Sequence, residues 1–184
     1  MTRTFDPANP PGDMPALGQG EEAECDSNFF SNASVGGEIK ETDAGHAWVT
    51  ISQVTVDLQL SVTIWAPTNA SPHVIEHEQG HRQISEHYYL TAGEIARKIA
   101  DNYIGQKVEI SGTDFAGRSN ELFRRMASEI TVEYNKQLNP EPAQILYDGI
   151  TDHGRNEAVV QDAVASAIRN VGMHQNGAAA VPGN

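Results

Sequence analysis

The sequence predicts an α+β fold. Three observations carry this: a strand-period alternation between Trp48 and Trp65, a helix-period apolar stripe that begins beyond Pro72, and two later stripes of helical period, from Ser119 and after Gly154.

In the alternating stretch, Val54, Val56, Leu58, Leu60, Val62 and Ile64 interleave with Thr55, Asp57, Gln59, Ser61 and Thr63, so one face meets a core and the other meets water. Val49 and Ile51 have the opposite parity, which requires a bulge or break near Ser52 and Gln53. Asn32 to Glu41 and Lys107 to Ser111 are candidates for two further short strands. Pro67 ends the long strand, and Ser71-Pro72 starts a helix expected to run from about 72 to 104. Its inward stripe is His77, His81, Ile84, Tyr88, Ala92, Ile95 and Ile99. A second helix is expected from Ser119 to Leu138, with Leu122, Phe123, Met126, Ala127, Ile130 and Tyr134 inward, and Asn139-Pro140 stops it. A third follows Gly154, with Val160, Val164, Ile168 and Val171 inward, and Tyr147 to Gly154 reads as the polar loop that precedes it. Together these elements make a small, mainly antiparallel sheet packed on one long helix that carries the chemistry, closed behind by two more helices.

The length of 184 residues suits one domain, placed at 26–172, between a disordered or loosely attached leader at 1–25 and a flexible tail at 173–184. Hydrophobic residues at 39% and charged residues at 20% are those of a globular chain. A formal charge of −13 argues against nucleic acid or an anionic membrane as the main partner, since either would be repelled. No apolar run is long enough for membrane insertion, and the opening MTRTFDPANPPGDMPALGQG lacks the apolar core of a signal peptide. Cys25 stands alone, so it makes no intramolecular disulfide and no thiolate metal knot.

The chemistry is stated at His77-Glu78-Gln79-Gly80-His81. Two histidines four apart share one helix face and can grip one metal ion, and the glutamate after the first sits beside that ion as a general base for its water. A catalytic zinc takes three protein ligands, so one more is needed. His87 completes a zero, four, ten spacing, but an unbroken helix through Ile84 places it about 15 Å along the axis from His77 and off the stripe. Glu121, Glu129 and Glu133 on the second helix are available in the thermolysin manner. His153 is preferred, because its polar loop can aim a side chain back at the first helix, with Asp152 as a further ligand or an orienting carboxylate.

HEQGH after an alternating strand, then Tyr147-Asp148-x-x-Thr151-x-His153-Gly154 with Gln161 further along, resembles the bacterial family of predicted secreted zinc-dependent proteases, domain of unknown function family 922, over roughly residues 45 to 165. The resemblance implies a zincin-like fold, zinc on His77, His81 and His153, and Glu78 as the catalytic base. Tyr147, Asp148, Thr151 and Gln161 match as supporting positions. The expected activity is hydrolysis of peptide bonds in a peptide or protein substrate by a zinc-bound water that Glu78 activates, with Tyr147 as a hydroxyl donor to the oxyanion. Two alternatives stand beside it: a catalytically silent zinc-binding interaction protein, and a zinc hydrolase of a non-protein amide. Members of that family usually carry a signal peptide and none is visible here, so a secreted or periplasmic location rests on the resemblance alone.

Overall fold

This computed structural model describes residues 1–18, 20–43 and 45–178, with backbone alone for Asp43 and residues 173–178. In chain order the elements are β1 (Thr2–Phe5), β2 (Glu24–Asp43), β3 (His46–Pro67), α1 (Pro72–Tyr89), α2 (Ala92–Asp101), β4 (Lys107–Ser111), α3 (Phe115–Gln137), α4 (Glu141–Thr151) and α5 (Val160–Ala178). The fold is α+β. No helix among the described residues is long and apolar enough to cross a membrane.

The sheet runs in the order β1-β3-β2, and β4 also pairs with β3. β4 is antiparallel to β3, with Ala47 opposite Ile110 and Val49 opposite Val108. β1 is parallel to β3, with Thr2 opposite Ile64 and Phe5 opposite Pro67. The parity change expected near Ser52 and Gln53 is visible in β3: Ala47, Val49 and Ile51 are buried, both Ser52 and Gln53 are exposed, and the half-buried set resumes at Val54.

The chain divides into two compact units, so the stretch 26–172 expected as one domain contributes to both. The first comprises Met1–Asn28, Leu60–Tyr88 and the chain from Asn139 onward; the second comprises Phe29–Gln59 and Tyr89–Leu138. In the first, Ile84 of α1, Ala143 and Tyr147 of α4, and Val160, Val164 and Ala167 of α5 form a core. In the second, Val49 and Ile51 of β3 pack with Leu122 and Met126 of α3.

Four expectations need correction. The leader is not loose at its start: β1 adds to the sheet, Phe5 is buried, and the Arg3 guanidinium lies 4.0 Å from the centre of the Trp65 ring. A strand of four residues has too few alternations to show a period. The helix expected from 72 to 104 breaks at Leu90-Thr91, where Leu90 is 83% exposed and Gly93 weakens the next turn. Its single stripe serves two cores, Ile84 with Tyr88 in the first unit and Ala92 with Ile99 in the second. α3 begins at Phe115 and not Ser119, because Asp114 caps it by accepting from the Gly117 amide at 2.8 Å. The expected polar loop from Tyr147 is largely helix: α4 starts with proline in its first turn, which needs no amide partner there, and buries Ala143, Tyr147 and Thr151. α5 carries the backbone to Ala178, and the rest of the expected tail lies outside the described residues.

Gly80 ties α1 to α4. A β-carbon there would collide with the hydroxyl and ring of Tyr147, whose ring is fully buried. Gly80→Ala gains about 1 kcal/mol of helix propensity and loses about 1–3 kcal/mol to overpacking. The expected result is a lower urea unfolding midpoint; a midpoint unchanged or raised would contradict this close approach.

Candidate metal centre

α1 presents His77 and His81 one turn apart on its buried face, and α4 brings Asp148 against them. The two Nε2 atoms stand 3.2 Å apart, and Asp148 Oδ1 lies 2.9 Å from His81 Nε2 and 3.4 Å from His77 Nε2. Ligand atoms bound at 2.0–2.2 Å to one zinc are separated by about 3–3.5 Å, so these three suit a single ion. The buried Oδ1 of Asp148 and Nδ1 of His77 have no hydrogen-bond partner among the described residues. An orphaned buried carboxylate oxygen costs about 1–3 kcal/mol or more, which a cation would remove. The donor set therefore fits zinc.

Neutral groups hold both imidazoles. The amide of Gln144 donates to the His81 carbonyl oxygen at 3.1 Å and to Ser85 Oγ at 3.0 Å, which fixes which end is nitrogen. Its oxygen then accepts from His81 Nδ1 at 2.7 Å, so the Nε2 lone pair is left to face Asp148 and His77. The Tyr147 ring stacks on His77 with centroids 5.1 Å apart and planes 13° from parallel, and meets His81 edge-on at 4.8 Å. Its hydroxyl donates to the His77 carbonyl oxygen at 3.1 Å. Tyr147, expected as an oxyanion donor, is wholly buried with that hydrogen committed to the α1 backbone at His77.

His153 lies elsewhere than expected. Asp152, His153 and Gly154 have φ of 50°, 53° and 71°, three successive left-handed residues that end α4 and turn the chain back. Gly154 is needed there, since a β-carbon would stand 2.8 Å from His77 Cγ. The His153 Nδ1 comes 3.9 Å from Asp148 Oδ1 and 3.8 Å from Glu21 Oε1, and it groups with those carboxylates and not with His77 and His81. Among the described residues it is Asp148, and not His153, that groups with His77 and His81. The other candidates have these surroundings: His87 is exposed, Glu129 pairs with Arg125 at 3.7 Å, and Glu133 accepts from Gln137 at 2.8 Å. Glu121 is also exposed.

A cavity of about 60 Å³, lined in part by Glu21, Val74, His77, Glu78, His153 and Arg155, opens beside the group. Glu78 is 5% exposed, and burial first, then the charges of Glu24, Glu21 and Asp148, push its carboxyl up to about 7 against the pull of His81. Burial and Glu21 raise Glu24 to about 7 as well. Asp148 goes the other way: burial opposes ionisation, but the imidazoles of His77 and His81 outweigh it and hold the carboxyl well below its usual range. Burial pushes the Cys25 thiol up to about 12, which leaves it an inert thiol.

Sequence reasoning missed Gln144, Glu21 and Glu24, and left Asp148 without a role. The signal for α4 was present, since Gln144, Tyr147, Asp148 and Thr151 are spaced three, one and three and so share one helix face.

The class so defined is an α+β chain with a group of two histidines and one carboxylate beside a buried glutamate. Set against known proteins, the chain matches no family model, no curated protein and no solved structure.

The raised Glu78 carboxyl makes a prediction for the metal-free protein. Between pH 4.5, the ordinary value for a glutamate, and about 7, the folded chain keeps a proton that the unfolded chain has lost, so this group costs stability as pH rises through that window. Glu78→Gln should therefore be more stable than the parent at pH 8 by on the order of 3 kcal/mol, with the difference vanishing below pH 4.5. Chemical denaturation of both proteins at the two pH values, in chelator, measures it; a difference independent of pH would refute the assignment.

Proposed function

We propose that this protein is a zinc-dependent hydrolase of peptide bonds, in which His77, His81 and Asp148 hold the ion and Glu78 is the general base. The observation that carries the reading is the convergence of two Nε2 atoms and one orphaned carboxylate oxygen within 3.4 Å of one another, next to a buried glutamate on the same helix. The likeness of HEQGH and of the YDGITDHG segment to domain of unknown function family 922 supports it, and a zincin-like arrangement of the fold belongs to the same proposal.

Bound there, zinc supplies Lewis acidity, polarising a carbonyl and acidifying water. Glu78 lines the adjoining cavity, and a carboxyl held near 7 both accepts a proton from water and returns it to a leaving amine at neutral pH. Its burial excludes bulk water from that exchange. Gln144 keeps His81 in the tautomer that leaves Nε2 free, and Tyr147 fixes the plane of His77. A wider groove of about 850 Å³ is lined by His73, Glu76, Gln79 and Gln83 of α1 and by the segment between Gly154 and α5. Arg155 borders both groove and cavity, so a chain laid in the groove reaches the centre past that side chain.

Elemental analysis and hydrolysis of a mixed peptide library test this reading. His77→Ala, His81→Ala and Asp148→Ala should lose the ion held by these three residues, and activity with it, while His87→Ala keeps both. Glu78→Gln should keep zinc and lose about 10³-fold or more in kcat/KM. Full zinc occupancy with unchanged hydrolysis in Glu78→Gln would sink the role given to that residue.

A further inference from the structure

The His77–His81–Asp148 group is not the whole cluster. Among the described residues a second set of ligand atoms, from Glu21, Asp148 and His153, also lies within 4.8 Å of one another, and the two sets share Asp148. The geometry points to a centre for two divalent metal ions, with Asp148 shared between one ion on His77 and His81 and a second on Glu21 and His153. This rests on the metal site proposed above and extends it.

Four features of the chain build the second position. Glu21 is held by a reciprocal pair of bonds: its carboxylate Oε2 accepts from the Gly18 amide at 3.0 Å, and its own amide donates to the Gly18 carbonyl oxygen at 3.2 Å. One carboxylate oxygen is thereby satisfied, and the other, Oε1, faces His153 at 3.8 Å. Arg155 Nη2 donates to the Gly20 carbonyl oxygen at 2.9 Å and so ties this part of the leader to the segment that follows His153. His153 itself sits in the left-handed run after α4, a conformation that costs a residue other than glycine on the order of 1–3 kcal/mol. That turn directs its ring at Asp148, while its amide donates to the Asp148 carbonyl oxygen at 3.0 Å.

Asp148 is placed to be shared. Its buried Oδ1 accepts no hydrogen bond among the described residues and faces three imidazole nitrogens, at 2.9, 3.4 and 3.9 Å. One ion cannot take all of them as they stand, since His153 does not fall within the His77–His81 set. Separations of 3.8 and 3.9 Å around His153 exceed the spacing of donors on one bound ion by about half an ångström, so the exposed His153 ring closes that gap by a small rotation, with water completing the shell. Mixed imidazole and carboxylate donors accept zinc or manganese, and paired ions about 3.5–4 Å apart recur in aminopeptidases and phosphatases. Among the described residues, Arg155 is the one lysine or arginine lining the cavity, against the carboxylates of Glu21, Glu22 and Glu78. The site therefore has charge to hold a second dication.

The test counts zinc. The 184-residue chain is stripped with chelator, titrated with zinc chloride, and measured by native mass spectrometry, which reads metal on the folded chain and shows any variant that has unfolded. The wild type should reach two zinc ions per chain. Glu21→Gln and His153→Asn, both at partly exposed positions, should each reach one, and Asp148→Asn should reach none. His77→Ala should lose the tighter ion. A wild type that saturates at one zinc overturns the shared centre. If that one ion is lost in His77→Ala and kept in Glu21→Gln and His153→Asn, the mononuclear reading of the proposed function survives alone; if no zinc binds, both readings fall.

Discussion

A carboxylate oxygen of Asp148, buried and without a donor, faces the nitrogens of two imidazoles, and the first unit is arranged to keep it there. Without an ion the contact depends on a proton carried by one imidazole, since two neutral ring nitrogens facing a carboxylate would leave three polar atoms taken from water unpaired. It persists because the surrounding packing over-determines it. α4 contributes Gln144, Tyr147, Asp148 and Thr151 from one face, and Thr151 Oγ1 closes the helix on itself by donating to the Tyr147 carbonyl oxygen at 2.8 Å. α4 is therefore as much a site helix as α1.

Two glycines permit this density. Gly80 admits the Tyr147 hydroxyl to the α1 backbone, and Gly154 lets the chain after α4 pass against the His77 ring. His77 is consequently packed by Tyr147 stacked at 5.1 Å and by a backbone with no side chain of its own. The two motifs of the sequence, HEQGH and YDGITDHG, pack against each other, and each contains the glycine that the other requires.

How much of this was legible depended on whether a residue declared itself by period. His77 and His81 did, because Ile84 and Tyr88 continue their stripe and mark the face as buried. α4 did not: its buried positions are Ala143, Tyr147 and Thr151, a set too small and polar to stand out, with Gly149 inside it. Reading that segment as a loop left Asp148 without an orientation, and so without a place beside His77 and His81. Glu21 had no local pattern at all, since its place depends on Gly18 and Arg155, the latter more than a hundred residues away. The break at Leu90 was hidden for the opposite reason, because the stripe runs on unbroken while the cores it serves are different.

The proposed ligands lie far apart in sequence, so a metal would meet them together only once α1, α4 and the leader have docked. In a small zinc domain the ion performs that docking. Here the contacts that fix His77 and His81 are an amide, a phenol and main-chain carbonyls, none of which changes charge near neutral pH. Behind them lies an apolar core of Ile84, Val160, Val164 and Ala167. The geometry is thus held by groups that do not depend on an ion, which is the condition that the proposed metal centre would need in order to be preorganised: binding would then cost little reorganisation.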